Sequence, residues 1–166
     1  MTVPVLYLIA CGGRPAGNLP PFVTALRADG WDVCVIATPD AVKFLGADRQ
    51  RLEDLTGHPV RSEFKQPDEP DVLPPADAFI VAPATFNTVN KLAAGISDTL
   101  AVALLNEGIG LGQPIVLVPA VNDGLGAHPR YRANLDALRS YGVTVVADQT
   151  LARASVGASR DARTAG

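Results

Sequence analysis

Four short apolar runs constrain this chain more than anything else in it. They cover residues 3–10, 31–37, 77–82 and 114–118, and none shows the apolar–polar alternation of a half-exposed strand. Each is too short for a buried helix and is followed closely by Gly, Pro or Thr, so each reads as a strand covered on both faces. Strands of that kind belong to parallel sheets, whose crossover connections place helices on either side.

The segments between the runs supply those helices. Pro20 and Pro21 fit only the first turn of a helix, because each lacks a backbone donor. That helix ends near Gly30 and carries Phe22 and Leu26 on one face. Thr38, Pro39 and Asp40 read as an N-cap, a first-turn proline and an acid suited to the helix dipole, opening a short helix to Leu45. A second helical stretch covers about 48–55. Residues 58–64 are expected to form an edge strand, and 66–75 a proline-rich acidic loop. The 83–88 segment turns into a long helical region reaching about Gly108. Pro129 opens a last amphipathic helix with Leu135, Leu138 and Tyr141 on one face, and 143–146 closes the sheet. Strands alternating with helices, without internal repeat or linker, predict an α/β fold: a single Rossmann-like, three-layer domain with a mostly parallel sheet over residues 1–148. Residues 149–166 are rich in Ala, Ser, Arg and Gly and lack periodicity, so a disordered tail is expected there.

Composition narrows the partners. A chain of 166 residues suits one domain, which buries roughly 70% of its extended surface. The net charge of −3 comes without a basic run, which argues against nucleic acid. No stretch reaches the length of apolar sequence that a membrane span needs, and the first residues lack the basic start of a signal peptide. Cys11 and Cys34 sit in or beside strand-like runs and make no disulfide framework, so a reducing cytoplasm is expected, and no metal site.

In open parallel sheets, ligands bind beyond the carboxyl ends of the strands, where the strand order reverses. The loops at 11–17, 38–40, 83–88 and 119–128 leave such ends and are rich in Gly, Pro, Thr or Asn. These residues expose backbone N–H groups and helix starts, which suit a phosphate. Gly12, Gly13 and Gly17 miss the G-x-G-x-x-G spacing, and Thr38 stands where a dinucleotide fold needs an acid. The Lys and Ser/Thr of a Walker loop are absent. A mononucleotide phosphate, cradled by backbone amides and the Thr38 hydroxyl, is what remains.

Residues 82–88 read Ala-Pro-Ala-Thr-Phe-Asn-Thr, and Lys91, Ala94, Gly95, Ile96, Asp98 and Leu100 follow. This stretch resembles the flavin-binding cysteine decarboxylases, which include phosphopantothenoylcysteine decarboxylase and the lantibiotic peptidyl-cysteine decarboxylases. Their loop is Pro-Ala-Ser-Ala-Asn-Thr; here Thr85 replaces the Ser and Phe86 the second Ala. The resemblance covers about 145 residues and includes Thr38, Ala41 and Phe44 after the second strand. It also takes in Pro119, Ala120, Val121, Asn122 and Leu125, where Val121 and Leu125 replace methionines and Gly126 stands for a Trp.

The resemblance implies FMN as cofactor. Gly12, Gly13, Thr38 and the loop of Pro83, Ala84, Thr85, Phe86, Asn87 and Thr88 would hold its phosphate and ribityl chain. Phe44, Asn87 and Asn122 would lie near the isoalloxazine or the substrate. It further implies a closed homo-oligomer, a trimer or multiple of trimers, with FMN at a subunit interface; the apolar stretch 98–105 fits a covered surface. The family's His-x-Glu histidine lies 14 residues before the loop proline; counting back from Pro83 gives Glu69, and no histidine lies between 59 and 127. The clamp cysteine of the pantothenate-pathway enzyme is absent as well. The catalytic candidates are therefore Glu69 and His128 as bases and Asn122 as a ligand for a carboxylate or a flavin carbonyl. The expected function is an FMN-dependent oxidative decarboxylase, or a related oxidoreductase, acting on a small carboxylate, thiol or peptide. The alternatives are a flavin-binding protein or regulatory subunit without decarboxylation and, third, a flavin prenyltransferase, which shares the Lys-x-Ala-x-Gly-Ile-x-Asp helix.

Overall fold

The structure is a computed structural model that describes residues 2–13 and 18–165. Its five strands are β1 (Val5–Ala10), β2 (Asp32–Ala37), β3 (Ala78–Ala84), β4 (Ile115–Pro119) and β5 (Thr144–Val145). They form one all-parallel sheet in the order β2-β1-β3-β4-β5. The helices are α1 (Leu19–Ala28), α2 (Pro39–Leu45), α3 (Asp48–Thr56), α4 (Phe86–Ala93), α5 (Leu100–Gly110), α6 (Asp123–Gly126), α7 (Pro129–Ser140) and α8 (Gln149–Thr164).

The alternation of side chains along each strand splits the apolar runs between two cores. Leu6, Leu8 and Ala10 meet Leu19, Phe22, Val23 and Leu26 of α1, Leu52 of α3, and Ala152 and Val156 of α8. Tyr7, Ile9, Phe79 and Val81 point to the other face, against Val89 and Leu92 of α4, Leu105 of α5 and Leu138 of α7. Both faces are thus covered, which is why no polar residue interrupts these strands.

Three expectations need correction. Residues 149–164 are not a disordered tail but α8, capped by Asp148, whose carboxylate accepts from Leu151 N at 2.8 Å. Its apolar stripe is only Ala152 and Val156, too thin to register as periodicity, and arginines anchor the rest. Arg153 bonds Asp29, Arg160 donates to the Asp29 carbonyl and lies 5.5 Å from the Trp31 ring centre, and Arg163 donates to the Asp77 carbonyl. The expected edge strand at 58–64 is a single bridge, Ile36 to Arg61, because Pro59 lacks a donor and the chain turns off the sheet. The long helix expected up to Gly108 is two helices. Gly95, at φ +71°, ends α4, and the Thr99 hydroxyl caps α5 by accepting from Val102 N. Asn106 pins the turn between them through the Ile96 carbonyl at 3.1 Å and Ser97 Oγ at 2.9 Å.

The order 2-1-3 decides where a ligand can sit. The chain leaves β1 for α1 on one face and leaves β3 for α4 on the other, so a crevice opens between the carboxyl ends of these two neighbouring strands. Backbone bonds hold the strand ends together: Cys11 N to the Pro83 carbonyl, Thr38 N to the Ala10 carbonyl, and Ala120 N to the Ala84 carbonyl. The Ala82–Pro83 peptide bond is cis, and the β3–β4 register shifts between Val81 and Ala84.

Candidate functional site

A cleft of about 820 Å³ lies at that crevice, lined by Gly12, Thr38, Pro39, Asp40, Thr85, Phe86, Asn87, Thr88, Lys91, Thr99, Val102, Ala120, Val121, Asn122 and Leu125. Its volume falls within the range of small-molecule and cofactor sites, about 300–1,000 Å³. Four helices begin on it, each with a side chain over its first turn. Thr38 accepts from Ala41 N at 3.1 Å, Thr85 from Thr88 N at 3.4 Å, Thr99 from Val102 N at 3.5 Å and Asn122 from Leu125 N at 2.9 Å. Each cap satisfies one amide and leaves the earlier ones without a partner in the helix, so α4 offers Phe86 N and Asn87 N toward the cleft. The Thr85 hydroxyl donates to Thr88 Oγ1 at 3.2 Å. The donor set therefore suits an anionic oxygen group plus carbonyls.

Two ionisable side chains line the cleft among the described residues, Asp40 and Lys91. Each is paired, Asp40 with Lys43 at 3.1 Å and Lys91 with Asp98 at 2.6 Å. Cys11 is buried, and burial pushes its thiol up against the opposing hydrogen bonds to Thr88 and Thr85, so it stays protonated and inert.

Behind the cleft, α4 and α7 form an aromatic wall. The Phe86 ring stacks on Tyr131, with centroids 5.7 Å apart and planes 26° apart, and meets His128 edge-on at 5.7 Å and 77°. Tyr131 is buried, which raises its phenol pKa. Asn134 donates to Asn90 Oδ1 at 2.8 Å and staples the same two helices. His128 caps α7: its Nδ1 accepts from Arg130 N at 3.1 Å.

The residues expected from sequence divide accordingly. Gly12, Thr38, Thr85, Phe86, Asn87, Thr88 and Asn122 line one cleft. Gly12 fits because the loop after β1 runs against α2, where an added Cβ would lie 2.9 Å from Asp40 Cβ. Gly13 lies beside it, half-buried, and residues 14–17, with Gly17, lie outside the described residues. Pro83 and Ala84 are buried in β3 and act through their carbonyls, as given above. Phe44 is exposed on α2 and does not line the cleft of its own chain. His128 stands at the rim, exposed, touching the cleft through Phe86. Glu69 is exposed in a surface turn, its carboxylate accepts from Gln66 N at 2.9 Å, and it does not line the cleft of its own chain. The 61–76 loop that carries it packs along α5 and β1 of its own chain rather than at the strand ends. There Tyr7 donates to the Pro74 carbonyl at 2.7 Å and Gln113 to the Ala76 carbonyl at 2.6 Å. Thr99 and Val102 were missed, although Ser97, Asp98 and Thr99 before an apolar run are a helix-start signal.

A doubly wound sheet with capped helix starts around its switch point places the chain in the parallel α/β class. The chain belongs to the Flavoprotein family, which matches residues 4–163. It is 33% identical over 155 residues to the coenzyme A biosynthesis bifunctional protein of Mycobacterium bovis, covering 90% of this chain and 36% of that one. The chain spans about a third of the length of the first curated relatives it matches. Among solved structures it is similar to the FMN-dependent cysteine decarboxylase TvaF from thioviridamide biosynthesis, with TM-score 0.75, 27% identity and coverage of 87% and 90%. It shares its fold with the FMN-dependent cysteine decarboxylase SpaF, at TM-score 0.77 and 24% identity over 93% and 95% of the two chains. No helix among the described residues is long and apolar enough to cross a membrane.

Proposed function

We propose that this protein binds FMN in the cleft between the ends of β1 and β3 and uses it to decarboxylate a small thiol-bearing carboxylate or the cysteine end of a peptide. The observation that carries the reading is the opening of α4, where Thr85, Phe86, Asn87 and Thr88 line one cleft and the first amides of the helix have no partner within it, in a chain of the Flavoprotein family. Thr38, Thr85 and the α4 amides would hold the phosphate and ribityl oxygens, and the Asn87 and Asn122 amides would meet flavin or substrate carbonyls. FMN supplies a two-electron acceptor, so that the substrate loses carbon dioxide and two hydrogens. The chain's part is to orient the substrate against the flavin and to keep water from the apolar side formed by Ala120, Val121 and Leu125.

The test has two stages. Titration of the purified protein with FMN is expected to give a stoichiometric flavin complex, and a Cys-ending peptide is then expected to lose the mass of carbon dioxide plus two hydrogens. Flavin binding without any such loss favours the second reading, a flavin-binding protein without decarboxylase activity. One feature supports that alternative: the only ionisable side chains lining the cleft among the described residues, Asp40 and Lys91, are already paired.

We also infer a closed homo-oligomer, a trimer or a multiple of one. A second groove of about 690 Å³ lies between α5 and the 61–76 loop, beside exposed Phe64, Val72 and Leu111. In a three-fold ring this groove would meet a different patch of the neighbouring copy, and its polar rim, with Arg61 and Lys65 against Asp71 and Glu107, carries both signs of charge for that contact.

A further inference from the structure

We propose that Lys91, held by Asp98, is the residue that selects a phosphate ester over an uncharged ligand in the cleft. This rests on the reading of the cleft as a flavin site and names the side chain that tells FMN from riboflavin.

Helical spacing puts Lys91 where it can serve. It lies three and four residues after Thr88 and Asn87 on α4, so all three share the face that lines the cleft. A helical side chain leans toward the start of its own helix, which here is the end with unpartnered amides. Lys91 is also the one cation among the described residues lining the cleft.

The ammonium is fixed from outside the helix. Its Nζ donates to Asp98 Oδ2 at 2.6 Å. Asp98 sits in the 95–99 turn, which Asn106 pins through the Ile96 carbonyl and Ser97 Oγ. Ile96 N donates back to the Lys91 carbonyl at 2.9 Å and closes that turn on the lysine. The ion pair has a direction. Lys91 lines the cleft and Asp98 does not; the lysine side chain is 27% exposed and the aspartate 50%. The positive end therefore faces the cleft and the negative end faces solvent. An ammonium has three donors, and Asp98 takes one; the other two bond no described residue. Around Lys91 the cleft offers neutral donors, the hydroxyls of Thr85, Thr88 and Thr99 and the first amides of α4. Neutral donors serve a sugar hydroxyl or a carbonyl as well as a phosphate. A full charge discriminates, because a phosphate monoester carries about −1.5 to −2 at neutral pH and a hydroxyl carries none.

Two measurements test the assignment. The first titrates FMN and riboflavin, which differ by the phosphate alone, against the protein at low and high salt. Wild type is expected to prefer FMN, and the preference to shrink as salt rises. Lys91→Met should lower FMN affinity about 10- to 100-fold, as for a hydrogen bond between charged groups, leave riboflavin affinity in place and weaken the salt dependence. Lys91→Arg keeps the charge and should keep most of the preference. Equal losses for both flavins in Lys91→Met would make Lys91 a strut for the start of α5 and overturn the proposal. The second measurement needs no flavin. The chain has three lysines, and reductive methylation with ¹³C-formaldehyde labels them without removing their charge. The Lys91 signal, assigned by its absence in Lys91→Arg, should move with inorganic phosphate and not with chloride at equal ionic strength, while those of Lys43 and Lys65 stay. A Lys91 signal that phosphate leaves unmoved would also overturn the proposal. If phosphate moves it and no flavin binds, the flavin reading fails and the phosphate contact stands; if flavin binds and the signal never moves, only the role of Lys91 falls.

Discussion

Arg153 grips Asp29 with two hydrogen bonds, Nε to Oδ2 at 2.7 Å and Nη2 to Oδ1 at 2.8 Å, across 124 positions of sequence. The Arg153 hydrogen bond holds the Asp29 carboxyl below the usual carboxylate range. A carboxyl lowered in the folded state contributes stability above its unfolded pKa, about 3.9, and loses it as pH falls through the folded value. Wild type should therefore melt above Asp29→Asn by a constant margin from neutral pH to about pH 5, and the margin should close below about pH 4. Both partners are about one-third exposed, so the margin should be small, about 1 kcal/mol or less. Melting curves of the two proteins across pH 2–7 measure it, and a gap that widened in acid would contradict the assignment.

Asn87 is exposed at the cleft, and its side chain makes no hydrogen bond to any described residue. Asn87→Ala should leave the melting temperature of the flavin-free protein unchanged. Its FMN affinity should fall about 5- to 100-fold, the worth of one or two hydrogen bonds. Fluorescence titration reads the affinity, and calorimetry reads the stability.

Gly12 touches α2 so closely that a methyl group there must move it. Gly12→Ala is expected to cost about 1–3 kcal/mol as overpacking and to weaken FMN by displacing the start of α2. Gly46 tests whether the effect is local: no atom lies within 4 Å of its added Cβ, so its Ala variant carries backbone strain at φ +49° but no clash. It should lose stability without a matching loss of affinity.

Removing residues 149–166 should uncover the face that Ala152 and Val156 close. Such a protein is expected to unfold at lower temperature and to bind a hydrophobic dye in its native buffer. Val156→Asp should do the same in full-length protein, because an unpaired charge buried there costs several kcal/mol. Equal melting of truncated and full-length chains would mean that α8 adds nothing.

Phe64→Glu and Leu111→Glu place like charges on the apolar groove beside α5. Light scattering is expected to give three times the chain mass, or a multiple of it, for wild type and a shift toward single chains for the variants. A wild type that ran as a monomer with FMN bound would sink the oligomer reading.

The sheet was legible because its strands carry their burial in the sequence: Leu6, Leu8, Ile36 and Ile80 have no polar neighbours to misplace. The cap Thr38 was legible for a similar reason, since a hydroxyl before a helix has a local chemical purpose, whereas Thr85 and Asn122 were singled out by the family motif and only the structure makes them caps. What escaped depended on contacts distant in sequence. The hold on α8 comes from arginines meeting Asp29, Trp31 and Asp77, and no window around residue 153 contains those partners. Phe44 falls on a matching motif position, yet the turn of α2 leaves it outside the cleft of its own chain. Glu69 was placed by counting through a loop whose path is set by Tyr7 and Gln113.

Helix α5 borders both hollows of the molecule. Thr99 and Val102 lie on the cleft, while Leu100, Leu104, Glu107 and Leu111 at its end lie on the groove. If the proposed flavin and oligomer readings both hold, a ligand that steadies the first residues of this helix should also steady the surface offered to a neighbouring copy, and the reverse should follow by linkage. Dilution should then release cofactor, and excess FMN should hold subunits together at concentrations where the empty chains part.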